Sequence, residues 1–143
     1  MTVIEYLRRL QKLRKQIARK LVRVESLRWF AARLTPTVRE VEVKSTPDPA
    51  RMQAFLSEAA DEEQAVLRMR KELDRVLDET ALYISYIPDS RIVRVMELRY
   101  LEDLDWQEIA LEMDYFISSV YRVHRKALAM LPPPPEVPEG SLV

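Results

Sequence analysis

The chain has 143 residues, with 23 Lys+Arg balancing 23 Asp+Glu, 48% hydrophobic residues and 32% charged ones, a composition of a folding chain rather than a disordered one. Its one Gly, at position 140, excludes a P-loop and a dinucleotide fingerprint. The lack of Cys excludes disulfides, thiolate metal sites and Cys nucleophiles, and a single His excludes a multi-histidine metal centre. No run of about 18 apolar residues and no signal-type N-terminus is present, so a soluble, cytoplasmic chain without a membrane partner is expected.

Prolines at 36, 47, 49, 88, 132 to 135 and 138 divide the chain. Proline costs roughly 3 kcal/mol inside a helix. The proline-free intervals 1–35, 50–87 and 89–131 are rich in Leu, Glu, Arg, Ala, Lys and Met, all good helix formers. They predict an all-α protein with a linker at 35–49 and a Pro-rich tail at 132–143.

The first interval reads as one long helix. Heptad numbering from Val3 places Val3, Leu10, Ile17, Val24 and Ala31 at a, and Tyr6, Leu13, Lys20, Leu27 and Leu34 at d. The second interval repeats the pattern. Met52, Ala59, Val66, Leu73, Thr80 and Ile87 stand at a, with Phe55, Glu62, Met69, Val76 and Tyr83 at d. Lys20, Glu62 and Thr80 are the polar seats. Two apolar stripes joined by about 15 residues predict a long antiparallel, coiled-coil-like hairpin over 1–87. The linker alternates Val38, Val41 and Val43 with charges but has no partner strand, and is read as loop.

Charge is uneven. Residues 1–34 carry ten Lys/Arg against Glu5 and Glu25, a net of +8, and residues 51–87 carry a net of −3. The basic helix either faces the more acidic one or contacts a nucleic-acid backbone.

In the third interval, Asp89 or Ser90 caps a helix running to about Leu101, with Ile92, Val95, Met96 and Tyr100 on its apolar face. Asp105, with Glu108 three residues on, caps a short helix ending near Met113. A last helix starts around Phe116 to Ser118 and runs to Leu131, where four prolines stop it. Counted from Trp106, Ile109 and Ala110 take positions four and five of a helix-turn-helix. Met113, Tyr115, Val120 and Val123 take positions eight, ten, fifteen and eighteen. Position nine, where the turn needs a left-handed backbone, is Asp114, which tolerates that region better than most residues.

The string from Leu98 to Leu128, with Leu98-Arg99-Tyr100, Glu108-Ile109-Ala110 and Ala127-Leu128, resembles the region-four domain of bacterial sigma factors. Together with Glu5-Tyr6-Leu7-Arg8 near the start, it resembles small phage and prophage proteins that join an N-terminal helical hairpin to a sigma-like C-terminus, of the RinA and ArpU late-regulator type. The resemblance implies a non-enzymatic DNA-binding transcription regulator in the cytoplasm of a bacterial host, needing no cofactor, with double-stranded DNA as partner. Sigma-like recognition helices begin with Ser followed by charged or amide residues; here Phe116-Ile117-Ser118-Ser119 stand in those seats.

The DNA-facing candidates are Ser118, Ser119, Tyr121, Arg122, Arg125 and Lys126, since Arg reads guanine bidentately and Ser contacts bases or phosphates. Residues 88–131 carry a net of −2, so one such module binds DNA weakly. A homodimer, the basic first helix or docking on RNA polymerase would supply the rest. A small terminase-like DNA-packaging subunit and a protein-binding module are the alternatives. His124, Trp106 and Trp29 read as packing residues. The acidic cluster from Glu102 to Asp114 lacks the spacing and Gly of a calcium loop. The tail is expected to be extended or disordered.

Overall fold

The computed structural model describes residues 1–34 and 48–138. Among these residues it is all-helical, with six helices and no strand: α1 (Val3–Leu7), α2 (Arg9–Arg33), α3 (Pro49–Ile84), α4 (Ser90–Tyr100), α5 (Trp106–Met113) and α6 (Ile117–Met130). Residues 35–47 of the loop expected at 35–49, and the tail beyond 138, lie outside the described residues.

The helix starts are written in the sequence. Thr2 and Glu5 form a reciprocal capping box at α1. Asp48 accepts the Arg51 N–H at 3.1 Å, and Pro49 takes the first helical position, where its missing donor costs nothing. α3 therefore starts inside the expected linker. The expected single first helix is divided at Arg8, although Arg8 keeps a right-handed helical backbone. The Arg8 N–H still reaches Ile4 O and the Lys12 N–H still reaches Arg8 O, each at 3.0 Å.

The chain forms two compact units, residues 15–70, and residues 1–14 together with the chain from Lys71 onward. The boundary expected at 87/88 does not separate them. Within the 15–70 unit, Ile17, Val24, Leu27, Ala31, Ala59, Val66 and Met69 are buried. Lys20 pairs with Glu62 at 3.0 Å and Arg23 with Glu58 at 2.7 Å. Arg28 also pairs with Glu63. The two charged seam seats, Lys20 and Glu62, thus satisfy each other.

The other unit has two apolar clusters. Tyr6, Leu7, Tyr83, Ile84 and Ile87 share one with Ile92, Met96, Tyr100, Ala127 and Leu131. In this cluster the ends of the first two helical intervals cover α4 and α6. Thr80, fully buried on the seam, returns its hydroxyl to Val76 O at 2.7 Å, which is how a helix tolerates a buried Thr. Arg9 is 2% exposed. Its guanidinium lies 3.9 Å from the Tyr6 ring centroid and bonds Glu79 at 2.9 Å.

The described part of the tail is free of helix and strand and packs on this unit. Leu131 is buried and Val137 packs against the first cluster. The Tyr83 hydroxyl donates to Pro132 O.

Candidate nucleic-acid interface

α4, α5 and α6 pack on one another around Val95, Leu98, Ile109, Ala110 and Val120, with Leu104, Trp106, Met113, Tyr115 and Val123 partly buried against them. All six apolar positions picked out by spacing fall in this one cluster. Ala110 lets the helices approach, because anything larger than its methyl would separate them.

The α5–α6 connection is set by backbone geometry. Asp105 caps α5, its side chain accepting the Glu108 N–H at 2.8 Å. That bond holds the Asp105 carboxyl below its ordinary pKa. At the other end Asp114 is left-handed, with φ 56° and ψ 45°. The Tyr115 N–H reaches Ala110 O at 2.9 Å and the Asp114 N–H reaches Leu111 O at 3.3 Å, the paired bonds of a Schellman motif. Asp103 is left-handed as well, at φ 58°, in the polar break between α4 and α5. Spacing alone gave no sign of it.

α6 begins at Ile117, and its N-cap residue, Phe116, makes no side-chain cap. Ser118 and Ser119 are therefore inside the helix. The buried face of α6 is Val120 and Ala127. Ser118, Tyr121, Arg122, Arg125 and Lys126 are exposed and Ser119 is half-buried. The structure divides these candidates. Arg122 and Lys126 line a cleft with Asp89 and Arg91. Tyr121 leans on Trp106, ring centroids 5.4 Å apart. Arg125 does not line that cleft.

His124 packs behind this face, its Nε2 2.6 Å from the Tyr100 hydroxyl and its ring 4.7 Å from Trp106. Burial, with Arg99, Arg8 and Arg125 nearby, lowers its pKa to about 4. Burial raises Tyr100 to about 12. The ring is therefore neutral at physiological pH, a half-buried packing group. Trp106 also carries the Arg99 guanidinium at 4.3 Å. Trp29, expected to pack, is 53% exposed, with Arg33 over its ring.

Several cations of the basic first interval are engaged within the protein. Arg9, Lys20, Arg23 and Arg28 are in ion pairs. Arg14 donates to Leu101 O at 2.7 Å, and Gln11 to Arg99 O at 3.0 Å, anchoring the end of α4. In the C-terminal helices, Arg94 pairs with Glu102, and Arg99 donates to Leu104 O. Spacing missed two further features. Arg91 stands beside α6, and the apolar residues Leu111 and Phe116 are 83% and 82% exposed.

No protein-family model matches the chain, and neither a curated protein nor a solved structure matches it. No described helix is long and apolar enough to cross a membrane.

Proposed function

We propose that α4 to α6 form a sigma region-four-like helix-turn-helix that binds double-stranded DNA through α6, and that α2 and α3 form an antiparallel hairpin serving oligomerisation or partner docking. In this reading the protein is a non-enzymatic transcription regulator of the phage and prophage type that its sequence resembles. The observation that carries it is the free face of α6. Among the described residues, Arg122, Arg125 and Lys126 make no ion pair, while Arg94 and Arg99 nearby are taken up by the protein. Ser118 lies one turn before Arg122 on the same face. A left-handed turn at Asp114 sets the angle at which α5 presents that face.

The test is selection from genomic fragments with the purified protein, then binding of the selected duplex and a random duplex at low salt. Arg122→Ala weakens binding to the selected duplex by about 1–3 kcal/mol, and by less to the random one. No binding to any duplex at low salt overturns the reading. A ring of eight or more subunits in solution favours a small terminase-like packaging role instead. The exposed Leu111 and Phe116 beside the start of α6 support one other reading, a protein-binding helix-turn-helix. Loss of duplex binding on changing Arg122, with none on changing Phe116 to Ala, separates the two.

A further inference from the structure

The first turn of α4 and the middle of α6 enclose a cleft of about 330 Å³, floored by Ile92 and Val123 and edged by Asp89, Arg91, Arg122 and Lys126. Three cations from two helices converge on it. Residues 88–131 hold six Lys/Arg. Arg94 and Arg99 are held by Glu102 and Leu104 O. The four with neither an ion pair nor a side-chain hydrogen bond among the described residues are Arg91, Arg122, Arg125 and Lys126, and three of those four border this cleft. A fold with a net negative charge and acidic residues close by has left its unpaired cations together. The one acid at the edge is already engaged: Asp89 Oδ1 accepts the Arg91 and Ile92 N–H groups at 2.9 and 3.3 Å as the α4 cap.

We propose that this cleft seats a backbone phosphate of double-stranded DNA, with Arg91 and Lys126 as its ligands and Arg122 shared between the phosphate and the reading face of α6. The proposal rests on the DNA-binding reading above and adds Arg91, on α4, to the interface. A phosphate contact outside α6 fixes the register of the helix on the duplex without reading sequence.

Arg91 is exposed, and among the described residues its side chain makes no hydrogen bond or ion pair, so Arg91→Ala keeps the fold, as circular dichroism and melting would confirm. Binding is titrated against salt for wild type, Arg91→Ala and Arg91→Lys, on the selected and the random duplex. The Ala variant weakens both duplexes by the same factor. It flattens the slope of log affinity against log salt by about 0.9, the release expected for one phosphate. The Lys variant restores the slope. At constant ionic strength, millimolar inorganic phosphate leaves wild-type binding unchanged. Wild-type binding with an unchanged slope in Arg91→Ala overturns the phosphate seat and leaves the DNA reading standing. So does specific competition by inorganic phosphate, which would make the seat one for the free ion. Failure of the wild type to bind any duplex overturns both.

Discussion

The turn at Asp114 offers a test whose sign, and not only its size, is set by the backbone. At an ordinary exposed helical position Ala is more stable than Gly by about 0.5–1 kcal/mol, because Gly loses more freedom on folding. With φ 56° and ψ 45°, a Cβ at position 114 crowds the following carbonyl, at a cost of roughly 1–2 kcal/mol for a non-Gly residue. Asp escapes part of this cost and Gly all of it. Subtracting Gly's entropic loss from the strain it relieves leaves Asp114→Gly more stable than Asp114→Ala by about 0.5–1 kcal/mol. Asp74, exposed inside α3, is the control, and there Asp74→Ala exceeds Asp74→Gly by a similar amount. Urea denaturation of the four variants measures both gaps on one protein, and thermal melting shows the same order. If Ala equals or exceeds Gly at position 114, the turn is not left-handed, and the angle between α5 and α6 is set by something else.

Three further outcomes follow from burial and charge. Leu13 is fully buried and Leu73 only half-buried, so Leu13→Ala costs about 2–5 kcal/mol and Leu73→Ala clearly less; a loss below about 0.5 kcal/mol at Leu13 in urea denaturation would show the seam misassigned. Arg9→Ala costs about 2–3 kcal/mol, because it empties a buried site and leaves Glu79 without its cation, whereas Arg9→Met, which refills the volume, costs less; equal losses in denaturation would show that the charge, and not the packed volume, sets the cost. His124 is neutral when folded, its pKa lowered from 6.5 to about 4, so the unfolded state takes up its proton first as the pH drops. Its contribution is complete above about pH 6.5 and is lost as the pH falls toward 4. Solvent at the half-buried ring holds this to about 1–2 kcal/mol. His124→Gln would flatten the stability profile between pH 6.5 and 4.5, and an unchanged profile counts against burial of the neutral ring.

Much of the fold was legible because the seam obeys a seven-residue period. Leu10, Leu13, Ile17, Val24, Leu27 and Ala31 are buried where the heptads put them. So were the caps, since Asp89 and Asp105 hold the helix starts where a short acceptor side chain is needed. Arg9 was not legible, because a buried cation has the same letter as a solvated one, and only the arrival of Glu79 and the Tyr6 ring distinguishes it. A paired change of Arg8 and Arg9, which composition alone suggests as a probe of DNA contact, would mostly damage the core. Exposed basic residues of the first interval such as Lys12 and Lys15 are the proper probes. The candidate site divides along similar lines. Its α6 residues follow from helical period, whereas Arg91 enters only because packing brings the start of α4 against α6.

The tail changes how the end of α6 should be viewed. Leu131 is in the core, Val137 returns to it, and the Tyr83 hydroxyl holds Pro132 O. Pro135, Glu136 and Pro138 line a cavity with Tyr6, Tyr83 and Tyr86. Prolines have little freedom to lose when they settle there. The segment therefore works as a clasp, and α6 is fastened at both ends, by the left-handed turn before it and by the clasp after it. A chain cut after Leu131 would uncover part of Tyr6 and Tyr83, now 3% and 1% exposed, and leave the end of α6 held by Ala127 and Leu131 without the clasp; under the DNA-binding proposal, that loosening five residues beyond Lys126 would be felt as lost register on the duplex.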